Sequence, residues 1–130
     1  MGVGLWLGTG ASVRGHHSFA AEFDANQPIT LAGTVARVDL VNPHAWLYVD
    51  VTDKAGTVER WNVELGAPNG LIRRGVTKQT VPIGTSVTVE GFRAKDGSRT
   101  VNGRNVKLSD GRNLFTGSSG TGAPGDPPRR

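Results

Sequence analysis

The sequence predicts a mainly β domain, a small five-stranded Greek-key barrel of the oligonucleotide/oligosaccharide-binding type with one short helix. Three observations carry that expectation. The 130 residues are rich in Val, Thr and Gly and hold few Glu, a balance that favours strands and turns. Residues 45 to 53 alternate with period two and are answered by a second alternating run at 57 to 65. The order of elements, three strands, a helix and two more strands with a strand-like end, is that of this barrel.

Each element has its own local reason. Residues 16 to 28 read as a polar lead-in closed by Pro28. Ile29 to Val41 is rich in β-branched and apolar residues, but its alternation slips: Leu31 and Val35 share one phase, Val38 and Leu40 the other. A bulge or sharp coil produces such a slip, and Gly33 is the expected place. Asn42-Pro43 then ends the strand. In the next strand Leu47, Val49 and Val51 share one face, opposite Trp46, Tyr48, Asp50 and Thr52. Asp53-Lys54-Ala55-Gly56 makes the turn, and Thr57 to Leu65 returns with Trp61, Val63 and Leu65 in phase. Pro68 to Gly75 suits a short helix, with proline in its first turn and glycine at its stop. Pro82 to Thr85 turns into a strand over Ser86 to Ala94. Lys95-Asp96-Gly97-Ser98 turns again into Arg99 to Leu108, and Asn113 to Thr116 is a last short strand. From Gly117 the chain is Gly-, Ser-, Pro- and Arg-rich, with nothing to bury, and reads as a disordered tail over 117–130. The domain is expected over 16–116.

The formal charge is +4 and the isoelectric point near 10.1. Arg14, Arg129 and Arg130 lie in the ends, so residues 16 to 115 hold twelve cations against ten acids. A mild surplus without clustering on one face is a poor nucleic-acid footprint. The absence of cysteine excludes disulfides, thiolate metal sites and cysteine nucleophiles. No apolar run approaches the roughly 20 residues that span a bilayer. Val3 to Leu7 is a short apolar run followed by small residues, so residues 1–15 resemble the end of a secretory signal peptide. Cleavage after Ala11 or after Gly15 would satisfy the small-residue rule, the latter making His16 the first residue. The run is short and no Lys or Arg precedes it, as a start codon placed too far downstream would explain. A periplasmic or secreted protein is the expectation.

His16-His17-Ser18-Phe19, Asn42-Pro43-His44-Ala45-Trp46, Trp61-Asn62-Val63-Glu64-Leu65-Gly66-Ala67-Pro68-Asn69 and Gly91-Phe92-Arg93-Ala94-Lys95-Asp96-Gly97-Ser98 together resemble a family of small exported bacterial proteins of unknown function. The likeness covers roughly residues 16 to 117 in one order. It implies export, with a signal peptide that usually ends just before the His-His-Ser-Phe segment, and it implies no activity. The shortened, uncharged leader and the long Gly/Pro tail depart from the family's pattern.

The three histidines are the leading candidate site. His16, His17 and His44 could give a three-nitrogen transition-metal site, copper first and zinc second, with Glu22 or Asp24 as a further donor. The spacing is no recognised ligand motif, and a solvated His16-His17 arm with His44 as a turn residue hydrogen-bonded near Trp46 accounts for it more simply. A second candidate is a binding surface for a polymer, small ligand or partner protein, built on Trp46, Tyr48 and Trp61 with Arg93 and Arg99. Exposed aromatics on a barrel face stack on bases or sugars; the plainer use is to cover the barrel's open end. Glu64, before the strand-to-helix corner, is expected to pair with Arg73 or Arg74. Arg93, Lys95, Arg99, Arg104, Lys107 and Arg112 crowd the last hairpin, as an anionic-ligand or lipid-surface patch or merely a charged, aggregation-resistant edge. With no phosphate-binding loop, nucleophile elbow or HExxH pair, an enzyme is not expected.

Overall fold

A computed structural model describes residues 19–117 and 123–124. Two short helices, α1 (Phe19–Glu22) and α2 (Pro68–Arg73), accompany six strands: β1 (Phe23–Asp39), β2 (Trp46–Thr52), β3 (Val58–Glu64), β4 (Ser86–Ala94), β5 (Thr100–Leu108) and β6 (Asn113–Thr116). The sheet runs β3-β2-β1-β4-β5-β6, with a further β3–β5 pairing. Five strands are therefore linked in a circuit, β1 to β2 to β3 to β5 to β4 and back to β1. The β3–β5 contact is parallel and short, from Asn62↔Thr100 to Glu64↔Asn102, while the other pairings are antiparallel. β6 extends the sheet beyond β5, so the sheet has six strands where five were expected.

β1 makes the circuit possible by changing partners along its length. Its first two thirds, Phe23 to Thr34, pair with β4 and its last third with β2, and Thr34 pairs with both Ser86 and Asp50. The expected phase slip is present, but the register shift lies between Val35 and Arg37. Gly33 serves a different purpose: a Cβ there would overlap the Asp50 carbonyl oxygen and come within 2.9 Å of Val49 Cγ1. Glycine lets β1 and β2 approach closely at the crossing.

The core lies inside the circuit. Leu31, Val35, Val38, Leu47, Val49, Trp61, Val63, Val89, Val101 and Val106 meet there, with Leu65 and Leu71 closing one end through the strand-to-helix corner. Pro68 opens α2 as the sequence predicts, and the helix stops at Arg73 with Gly75 in the left-handed conformation at φ 86°.

Three expectations need correction. The polar lead-in is instead α1 followed directly by β1, and Pro28 lies within that strand opposite Phe92. Its donor loss is tolerated because the pairing is irregular between Phe23 and Pro28, where Asp24 accepts bonds from the Asn26 backbone and the Gln27 side chain. Phe19 and Phe23 are buried with Phe92 and Ala94 in a second small cluster. Ala123, in a tail expected to bury nothing, is 4% exposed and belongs to that same cluster. The leader at 1–15, His16 and His17 lie outside the described residues.

Candidate functional site

The turn between β1 and β2 leads directly into β2 and the β2–β3 ladder. Past the end of the β2–β3 ladder, Leu65 N–H donates to Ala45 O at 2.8 Å and Ala45 N–H to Gly66 O at 2.9 Å. These bonds fix Ala45 inside the core and release His44 from the strand. The preceding Asn42–Pro43 peptide is cis. His44 is half-buried, with its Nδ1 atom shielded from solvent.

The register then builds a row across the sheet. Trp46 pairs with Glu64, Glu64 with Asn102 and Asn102 with Phe92. Directly paired residues share a face, and Val63, Leu65 and Val101 beside them point into the core. The row therefore stands on the opposite, outer face. Its middle is nonetheless buried: Glu64 is 5% exposed and Asn102 0%. Asn102 Nδ2 donates to Glu64 Oε1 at 3.2 Å. Among the described residues no ion pair joins Glu64 to Arg73 or Arg74, so the expected corner bridge is replaced by a carboxylate–amide bond between strands. Arg73 and Arg74 are exposed at the end of α2.

The next row outward is half-exposed. Tyr48 pairs with Arg37 on one side and Asn62 on the other. The Arg37 guanidinium lies 5.7 Å from the Tyr48 ring centroid and donates to Asp39 Oδ1 at 2.7 Å. Beyond it, Arg60 grips Asp50 through two bonds of 2.9 and 3.2 Å, and this guanidinium holds the Asp50 carboxyl below its ordinary range. Arg99 Nη2 reaches Glu59 Oε1 at 3.2 Å.

The sequence-predicted residues separate accordingly. Trp46 and Tyr48 share the outer face as expected. Trp61 does not join them: it pairs with Val49 and is buried in the core. Arg93 lies over the Trp61 ring, 5.2 Å from its centroid, and donates to the Gly97 and Ser98 carbonyls of the β4–β5 turn. The basic hairpin forms no single patch, since Arg93, Arg99 and Arg112 turn to the Trp61 ring, Glu59 and Asp110 respectively. Among the described residues no group of three or more His, Asp or Glu stands together as a metal site. His44 is the one described member of the histidine set.

What the sequence did not reveal is the Glu64–Asn102 pair and the Phe19–Phe92 contact. Both residues of the first pair have outward phase, which reads as solvent-exposed; only the parallel β3–β5 rung brings them together.

Fold and site define a small, mainly β domain whose distinctive surface is a polar and aromatic outer face beside a histidine-bearing turn. The chain belongs to a family of unknown function, DUF6152, whose profile matches residues 6–103. No curated protein and no solved structure matches it. Among the described residues no helix is long and apolar enough to cross a membrane.

Proposed function

We propose that this chain is an exported binding or accessory module, not an enzyme, acting in the periplasm or outside the cell. The scaffold is a five-stranded barrel of the oligonucleotide/oligosaccharide-binding type with β6 added; the circuit of strand pairings supports that assignment. Export is supported by the apolar run and small residues of the leader.

The functional end is the turn carrying His44, and the ligand proposed first is a transition metal, copper ahead of zinc. The observation behind this reading is the buried Glu64 carboxylate, bonded to Asn102 in the row that begins at Trp46, two residues beyond His44. An imidazole and a carboxylate at the same end of the β2–β3 ladder supply two of the donors a transition metal takes. One imidazole and one carboxylate do not complete a four-coordinate site, so His16 and His17 supply the remaining nitrogens. The metal would be held by these side chains and would lend charge to the turn.

Metal analysis and calorimetric titration of the exported protein with Cu²⁺ and Zn²⁺ test this. One equivalent is expected for the wild type, lost in His44→Ala and in the His16→Ala/His17→Ala double variant. No stoichiometric uptake of either ion would overturn it. Mass spectrometry of the mature N-terminus tests export separately.

A further inference from the structure

We propose that the outer face of β2–β3 binds a neutral saccharide, a ligand class that rests on the binding-module reading but not on the metal. Trp46 and Tyr48 stand two residues apart on β2 and half-exposed, offering adjacent aromatic surfaces. Aromatic faces pack against the C–H faces of sugar rings as they do against other apolar groups. Asn62 lies beside Tyr48 in the ladder, and an amide supplies both the donors and the acceptor that hydroxyl groups need. The Arg37 guanidinium, planar and fixed at Asp39, lies over the Tyr48 ring, 5.7 Å from its centroid, so that it covers one face of Tyr48 and sets a polar plane on the same face of the sheet as Trp46. The Trp46 ring, the remaining surface of Tyr48 and the planar polar groups beside them together match a polyhydroxylated ring.

Charge decides which ligand. The cations paired on this face are answered by acids: Arg37 by Asp39 and Arg60 by Asp50. Balanced pairs leave little net field to concentrate a polyanion. A nucleic acid or sulfated glycan would find its phosphates or sulfates facing carboxylates. An uncharged glycan segment loses nothing by that arrangement.

The test is calorimetric titration of the full chain with cellohexaose, chitohexaose and a heparin hexasaccharide, preceded by a glycan array. Binding to a neutral glycan is expected, unchanged between about 50 and 500 mM NaCl, because no counterions are released. Trp46→Ala should weaken it about tenfold or more, the scale of a lost stacking contact. Asn62→Ala should weaken it by a smaller factor, and Lys107→Ala, exposed on β5, should leave it intact. Tyr48→Leu, which keeps apolar bulk, guards against loss through unfolding and is expected to weaken binding while the thermal melt is preserved. EDTA should have no effect, which separates failure here from failure of the metal reading. Absence of neutral glycans among the array hits, binding that survives both Trp46→Ala and Tyr48→Leu, or binding confined to heparin and abolished by salt would each overturn the proposal.

Discussion

Asn102 Nδ2 donates to Glu64 Oε1 at 3.2 Å across the parallel rung that joins β5 to β3. This bond sits where the strand circuit is narrowest, since only three residue pairs connect the two strands. Both side chains are withdrawn from solvent, so the bond acts in a medium where unmet polar groups are costly. The amide and carboxylate thus fasten the circuit from outside, while Val63 and Val101 fasten it from within.

Asn102→Leu should therefore destabilise the fold by about 1–3 kcal/mol, the cost of leaving a buried polar partner without its bond. Glu64→Gln, which keeps the acceptor oxygen, should cost less. Urea unfolding followed by tryptophan fluorescence reads both values. An Asn102→Leu midpoint equal to that of the wild type would show that the bond contributes nothing.

Glycine positions divide sharply by what surrounds them. A Cβ at Gly33 would collide with the Asp50 carbonyl, whereas one at Gly70 would meet nothing within 4 Å. Gly33→Ala should cost about 1–3 kcal/mol by forcing β1 and β2 apart. Gly70→Ala, within α2, should leave stability unchanged or raise it by up to about 1 kcal/mol through helix propensity. Thermal melts of the two single variants decide the matter, and equal melting temperatures would contradict the close approach.

The boundaries of β2 to β6, the turns of the β2–β3 and β4–β5 hairpins and the start of α2 were legible because each rests on local chemistry: alternation, an Asp-x-x-Gly and an Asp-Gly turn, proline at a helix entry. The slip in β1 was legible as a slip but misplaced, because Gly33 and Ala36 sit three residues apart and only the neighbouring strands distinguish a crossing from a bulge. Trp61 was in phase with Val63 and Leu65 in the sequence, so its burial follows that alternation and contradicts its inclusion in a surface patch. Glu64 and Asn102 carry no local signal of burial, since what covers the outer face of a strand comes from elsewhere in the chain. The same holds for Phe19, whose ring meets Phe92 only after β1 and β4 are aligned.

That aromatic contact gives a prediction about α1. Phe19 packs edge-on against Phe92, centroids 5.4 Å apart at 84°, and stacks near Phe23 at 5.8 Å. Backbone bonding supports the attachment, for Lys95 N–H donates to Glu22 O at 2.8 Å and the Lys95 ammonium donates to Ala20 O. Phe92→Ala should release α1 while the sheet persists, at a global cost below the roughly 3–5 kcal/mol of a fully buried Phe→Ala change. Hydrogen exchange reads this directly: the Lys95 amide should lose protection while the Val89 and Val106 amides keep theirs. Retained protection at Lys95 would place the anchor elsewhere.

The outer-face ion pair between Arg60 and Asp50 sets a pH dependence whose sign is fixed. Hydrogen bonding and attraction to Arg60 hold the Asp50 carboxyl below its ordinary value of 3.8. A carboxyl depressed in the folded state stabilises that state above its ordinary value and loses the contribution as pH falls through the folded value. Arg60 is exposed and Asp50 partly so, so the contribution is small and weakens with salt. Carboxyl ¹³C NMR of the wild type should show Asp50 titrating below 3.8, and Arg60→Gln should move that midpoint upward. Stability of the two proteins should differ slightly near pH 7 and converge as pH falls below the folded-state midpoint of Asp50, where the acid is protonated in both folded and unfolded chains. A midpoint that does not move in Arg60→Gln would assign the depression to the backbone of β2 and remove Arg60 from the electrostatics of this face.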